Sequence, residues 1–198
     1  MKGLYLITDG FPVMSDLEEA LKGGVRIVQL RYKGNWDETT LNQGRQMTQL
    51  CHEAGAKLII NDRWDLVERI GADGAHVGRE DGSLEVVRKG LEGKIMGVSC
   101  YGSLELATKA VEAGADYIAF GACFASSTKP HAPTIGLEVI TQARRLGRPI
   151  CAIGGITLEC ASRVIEAGAD MIAVISDFWN HPPYRVRAEV FSSLFSHS

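Results

Sequence analysis

One phrase recurs along this chain. Glu112-Ala113-Gly114-Ala115-Asp116-Tyr117-Ile118-Ala119 returns almost letter for letter as Glu166-Ala167-Gly168-Ala169-Asp170-Met171-Ile172-Ala173. Looser copies run from Ile70 to Val77, from Glu53 to Ile60 and from Lys22 to Gln29. Each copy reads as a helix end, a glycine and a short apolar run. Glycine most easily takes the left-handed conformation that closes a helix, and the apolar run that follows has the character of a buried parallel strand. A chain that keeps passing from helix to strand by one device is a βα repeat. Such repeats gather their chemistry in the loops after the strands. The aspartates of the phrase, Asp73, Asp116 and Asp170, would then be helix–strand corner residues far from the chemistry.

Eight strands are expected, at Leu4–Thr8, Arg26–Arg31, Lys57–Ile60, Gly74–Val77, Ile95–Ser99, Tyr117–Phe120, Pro149–Ile153 and Met171–Ile175. Amphipathic stretches between them include Leu41 to Ala54, Leu84 to Leu91, Leu104 to Ala113, Leu137 to Leu146 and Leu158 to Ala167, with a further helix from near Pro183. Eight alternating units predict an α/β fold, a compact closed (β/α)8 TIM barrel occupying residues 1–198 as one domain. An open doubly wound sheet would want a Gly-x-Gly-x-x-Gly turn after its first strand. Thr8-Asp9-Gly10-Phe11 does not supply one.

The 198 residues fit one domain with a full core. A net charge of −3 argues against a general nucleic-acid binder. No apolar run approaches the ~18 residues of a membrane span, and Met1-Lys2-Gly3-Leu4 leads straight into a strand without a cleavage pattern. The five cysteines (Cys51, Cys100, Cys123, Cys151 and Cys160) are odd in number and lack a Cys-x-x-Cys pair. Reduced core thiols in a cytoplasmic protein are the expectation. The histidines show no metal-ligand spacing.

If the barrel is right, the C-terminal strand ends carry the site. Strand alternation points Gln29 and Arg31, with Lys33 beyond them, toward the mouth. Asp62 and Asp81 follow neighbouring strands, where two carboxylates repel unless a cation lies between them. Magnesium suits this, because it takes one or two carboxylates and accepts substrate phosphates. Arg31, Lys33 and Lys129 would face phosphate oxygens. Gly154-Gly155 and Ser176 lie where many barrels bind a phosphate. Two anion sites emerge, one metal-assisted and suited to a diphosphate, the other metal-free and suited to a monophosphate. Taken singly, each feature has a plain structural alternative. Asp62 with Arg63, or Asp81 with Arg79, would make surface salt bridges, and Lys129 would be solvated. His76 would be a packed core histidine, and Trp64, Phe178 and Trp179 would be packing residues.

The segments Leu4–Asp9, Val28–Lys33, Ile59–Arg63, Gly71–Gly78 with Glu80-Asp81, Gly97–Ser99, Ser127–Pro130, Ala152–Thr157 and Val174–Ser176 resemble, in order, the thiamine-phosphate synthase (thiamine monophosphate pyrophosphorylase) family. The resemblance implies a cytoplasmic transferase of thiamine biosynthesis. It would join hydroxymethylpyrimidine diphosphate to thiazole phosphate and release diphosphate by a dissociative route. It implies Mg2+ on Asp62 and Asp81. Gln29, Arg31, Lys33, Asn61, Ser99 and Lys129 would bind the pyrimidine diphosphate, with Arg31, Ser99 and Lys129 catalytic. Ser126, Thr128, Gly155, Ile175 and Ser176 would bind the thiazole phosphate. The partners implied are phosphorylated small molecules, with no nucleic acid and no membrane, and a homo-oligomer is left open. The chain departs from the family pattern at Arg79, where glutamine is common, and at Ser126, where threonine is common. It departs also at Ala122 and Ala125, often proline, in the short Asp9–Ser15 loop, and in the segment Asp177–Pro182. Two other functions fit parts of the pattern. One is a thiazole tautomerase-like isomerase without diphosphate machinery. The other is a non-catalytic thiazole-phosphate-binding paralogue in which Arg79 pairs with Asp81 and blocks the metal.

Overall fold

The computed structural model describes residues 1–125 and 133–196. Eight parallel strands close on themselves in sequence order: β1 (Gly3–Asp9), β2 (Ile27–Arg31), β3 (Lys57–Asn61), β4 (Gly74–Val77), β5 (Ile95–Tyr101), β6 (Tyr117–Phe120), β7 (Ile150–Ile153) and β8 (Met171–Val174). The helices α1 (Met14–Lys22), α2 (Glu38–Glu53), α3 (Val67–Ile70), α4 (Leu84–Gly90), α5 (Leu104–Glu112), α6 (Glu138–Ala143), α7 (Ala161–Glu166), α8 (Ser176–Trp179) and α9 (Tyr184–Ser193) alternate with the strands or follow the last one. The fold is a TIM barrel. Among the described residues, no helix is long and apolar enough to cross a membrane.

Strand alternation sorts the core into two layers. Leu4, Leu6, Val28, Leu30, Leu58, Ile60, Ile172 and Val174 face outward and pack under the helices. Tyr5, Ile7, Ile27, Ile59, Tyr117, Ala119, Cys151, Met171 and Ala173 point inward and fill the barrel. The interior is thus a packed core rather than a pore. Burial pushes the thiols of Cys51 and Cys100 up to about 12 and that of Cys123 up to about 11. These cysteines are inert fillers.

The recurrent phrase has a uniform structural task. Gly114 and Gly168 close their helices at φ 87° and 109°, a region a side chain disfavours. The aspartate two residues later then grips the strand next door. The Oδ2 atoms of Asp73, Asp116 and Asp170 accept from the backbone N–H groups of Leu58, Met96 and Ile150, each at 2.8 Å. The N–H groups of the same aspartates donate to the carbonyls of those residues at 2.8, 2.8 and 2.9 Å. The phrase therefore ties β4 to β3, β6 to β5 and β8 to β7 at the bottom of the barrel. It sets the register that carries the opposite strand ends to the rim.

Candidate active site

Gln29, Arg31, Asn61, His76 and Ser99 lie on the strands' C-terminal halves, and their neighbours in the register are Ile7, Asp9, His76, Asn61 and Ala119. Arg31 is the basic anchor of this side. Its Nη1 lies 2.5 Å from Asp9 Oδ1, and its side chain is only 16% exposed whereas that of Asp9 is 71% exposed. Asp9 thus holds the guanidinium at the mouth from its solvent side, a partner the sequence reading did not anticipate. Lys33 stands beyond the strand and is exposed, and Asn61 is half-buried at the end of β3.

Asp62 turns the chain off β3 with φ 63°. Aspartate tolerates this left-handed region better than most side chains, yet it costs energy, and such residues cluster at functional sites. The turn is held by the Asp62 N–H donating to the His76 carbonyl at 2.8 Å and by the Trp64 N–H donating to the Asp62 carbonyl at 2.9 Å. Arg63 is engaged elsewhere, with Nε and Nη2 donating to the two carboxylate oxygens of Asp65 at 2.8 and 2.7 Å. Asp81 is folded back onto the end of β4, where its Oδ2 accepts from the Gly78 N–H at 2.6 Å. Its carbonyl accepts from the Trp64 indole at 3.1 Å. Trp64 is therefore more than filler, since it braces the loop that carries Asp81. Arg79 lies 4.5 Å over the Tyr101 ring, so its charge is spent on an aromatic face rather than on Asp81.

Two half-buried carboxylates at adjacent strand ends suit magnesium. The ion is bound through one or two carboxylates and keeps room for water and phosphate oxygens. Among the described residues, no cluster of three or more His, Cys, Asp or Glu side chains comes together. A zinc or calcium cage built wholly from protein is therefore a poorer fit to these residues.

Strands β7 and β8 stand across the closed barrel from β3 and β4. A cavity of about 150 Å3 opens beside them, lined by residues that include Gly154, Gly155, Thr157, Ile175, Ser176 and Asp177. Asp177 would repel an anion there. Its carboxylate is countered by Arg187 of α9, whose Nη2 donates to Oδ2, and it accepts from the Leu158 N–H at 3.1 Å. The side chains of Arg187 and Asp177 are 19% and 14% exposed. The segment Asp177–Pro182 is further held by Trp179, whose indole donates to the Ile7 carbonyl at 2.8 Å. Phe178 is fully buried, as expected of a packing residue. Ser126, Thr128 and Lys129 lie outside the described residues.

His76 is buried, as expected, but it is not packed in apolar surroundings. Its Nε2 lies 2.8 Å from Ser99 Oγ and its Nδ1 lies 2.9 Å from the Tyr117 hydroxyl. The inward parity of β4 places it directly beneath the rim.

Comparison with known proteins gives the family. The family model for thiamine monophosphate synthase matches residues 4–178. The thiamine-phosphate synthase of Aromatoleum aromaticum is 44% identical, over 98% of this chain and 97% of its own. That of Methylobacillus flagellatus is 43% identical, over 99% and 96%. A solved thiamine phosphate pyrophosphorylase from Pyrococcus furiosus superposes with a TM-score of 0.88 at 34% identity, covering 97% of this chain and 94% of that one.

Proposed function

Because the chain belongs to the thiamine monophosphate synthase family and acts as a thiamine-phosphate synthase, a transferase of thiamine biosynthesis, we propose that it runs the reaction across its barrel mouth. The pyrimidine diphosphate would be held over β2 to β5 and the thiazole phosphate over β7 and β8. The observation that carries this reading is the opposition of two unlike anion sites. A carboxylate pair with Arg31 stands on one side, and a glycine-lined cavity stands on the other.

In this reading Asp62 and Asp81 hold Mg2+, which when bound neutralises charge on the diphosphate as it departs. Arg31 and Ser99 hold the same diphosphate from the strand ends, with Lys33, Lys129 and Asn61 around it. Arg31, Ser99 and Lys129 stabilise charge growing on the leaving oxygen. Gln29 positions the pyrimidine end. Ser126, Thr128, Gly155, Ile175 and Ser176 hold the thiazole phosphate, so that the thiazole nitrogen meets the carbon that loses diphosphate. No step needs a general base. The stacking of Arg79 on Tyr101 speaks against a metal site blocked by an Arg79–Asp81 pair. Buried reduced thiols and phosphorylated substrates suit a cytoplasmic enzyme.

The test is direct. Purified protein is given both substrates with and without Mg2+, and thiamine phosphate and diphosphate are followed together. Equal amounts of both products, formed only with Mg2+, are expected. Folded protein that makes neither would overturn the reading.

The thiazole half carries its own prediction. Arg187→Gln removes the charge that balances Asp177 beside the cavity, while the carboxylate stays. The KM for thiazole phosphate should rise about tenfold with kcat at saturation nearly unchanged, and Arg187→Lys should recover most of the loss. Steady-state kinetics at varied thiazole phosphate would check it. An unchanged KM in the folded Gln variant would separate Asp177 from the anion site.

A further inference from the structure

Five side chains, one from each of β1, β2, β4, β5 and β6, form one unbroken hydrogen-bonded chain through the barrel interior. Gln29 Nε2 donates to the Tyr5 hydroxyl at 2.9 Å. The Tyr5 and Tyr117 hydroxyls are 2.8 Å apart. Tyr117 reaches His76 Nδ1 at 2.9 Å, and His76 Nε2 reaches Ser99 Oγ at 2.8 Å. The Ser99 end is half-buried at the rim, whereas the Gln29 end is only 3% exposed. The middle lies in the dry interior, where Tyr5 is 1% exposed and Tyr117 is fully buried.

We propose that Tyr5, Tyr117 and His76 are positioning residues, whose chain of bonds holds His76 as the Nε2–H tautomer and so fixes the Ser99 hydroxyl as a donor toward the substrate. The inference rests on the rim near Ser99 being the diphosphate site.

Proton counting gives the direction. Burial pushes both phenols well above the ordinary tyrosine range, so each keeps its single proton. Tyr5 accepts from Gln29, and among the described residues the acceptor within reach of its own buried proton is the Tyr117 hydroxyl, so it donates there. Tyr117, having accepted, donates to His76 Nδ1. An imidazole that accepts at Nδ1 carries its proton on Nε2 and donates it to Ser99 Oγ. With that lone pair occupied, the Ser99 proton is left to point away from His76, toward the mouth. Diphosphate oxygens are acceptors only, so a donor is the useful polarity there. The opposite polarity would make Ser99 donate to His76 and show the mouth a lone pair.

The interior is shaped for this chain. A Cβ at Gly97 would lie 1.9 Å from Tyr117 Cζ and 2.2 Å from its hydroxyl. The ring fits because β5 has no side chain there, two residues before Ser99. The Tyr117 ring also stacks on His76, with centroids 5.6 Å apart and planes 24° from parallel. That contact fixes the imidazole in the plane the two bonds require.

The tautomer can be read without any turnover. Long-range proton–nitrogen correlation on the full chain with isotope-labelled histidine, assigned with His76→Gln, should show a pyridine-like Nδ1 and a pyrrole-like Nε2 for His76. An Nδ1–H ring, or a ring protonated on both nitrogens, would overturn the inference. In Tyr117→Phe the fixed tautomer signature should be lost. Its kcat for thiamine phosphate synthesis should fall about tenfold, with the KM for the pyrimidine diphosphate changed less than about twofold. An unchanged kcat in a folded variant would reduce the chain to a structural role. His76→Gln keeps an acceptor and a donor at similar spacing and should retain more turnover than His76→Leu, whereas equal loss in the two would count against the inference. Failure of the unaltered chain to synthesise would sink the rim assignment instead, and the tautomer readout keeps the two failures apart.

Discussion

Asp62→Asn should lower thiamine phosphate synthesis about a thousandfold while leaving the protein folded. Asparagine is chosen because the position sits at φ 63°, which Asn tolerates about as well as Asp and alanine does not. The backbone bond from residue 62 to the His76 carbonyl, 2.8 Å, needs no side chain and survives the change. What the variant loses is one negative charge at the end of β3. If Asp62 and Asp81 together hold the metal, losing one halves the protein's charge on it. The transition state then loses stabilisation where negative charge develops on the leaving diphosphate. Removing a single well-placed electrostatic contact of that kind costs about a hundred- to a thousandfold in rate. The loss should be partly offset by raising Mg2+, because a weakened site fills at higher concentration. Circular dichroism melts within about 2 °C of the unaltered chain would show that the fold is intact. Full activity at ordinary Mg2+ would remove Asp62 from the metal site.

The parts of this molecule legible in sequence are those encoded by near neighbours. Strands β4 and β6 run over the residues expected, and the others differ by one or two residues at their ends. Each is a short apolar run, most of them introduced by the same glycine device. The expected helix from Leu158 begins regularly only at Ala161. The turn before it is shaped by the Asp177 carboxylate on the Leu158 N–H, a contact 19 residues away in sequence. Likewise β5 runs on to Tyr101 through an irregularity against β6 between Ser99 and Tyr101, which no local pattern announces.

The site divides in the same way. Residue types at strand ends could be read off, because parity along a strand decides which side chains reach the mouth. Their partners could not. Asp9 is 22 residues from Arg31, His76 is 41 from Tyr117, and Tyr5 is 112 from Tyr117. Closure of the barrel, not local spacing, brings these pairs together. That is why His76 reads from sequence only as a packed core histidine and stands in the structure, buried as expected, as a link to Ser99. Asp177, in the segment that departs from the family pattern, is neutralised by Arg187 ten residues on, in α9.

On the other side of the mouth, Gly155→Ala should raise the KM for thiazole phosphate about a hundredfold. Gly155 has φ 61°, where an L side chain costs roughly 1–2 kcal/mol. The added Cβ would also lie 2.2 Å from the Ala125 carbonyl oxygen and 2.7 Å from that of Phe124. Both obstacles are backbone, so no rotamer change relieves them. Either Gly155 backs away from the cavity it lines, or the chain at Phe124–Ala125 does. The second movement would be passed directly to Ser126, the first of the residues proposed to meet the same phosphate. A phosphate held by close backbone approach is lost when the backbone retreats by a fraction of an ångström. The pyrimidine half, across the barrel at β3 and β4, should be spared, so the KM for the pyrimidine diphosphate should stay within about threefold. The contrast between the two constants is the diagnostic, since general destabilisation would raise both. Equal rises, or no rise for thiazole phosphate in a folded variant, would place the thiazole phosphate elsewhere than the cavity between β7 and β8.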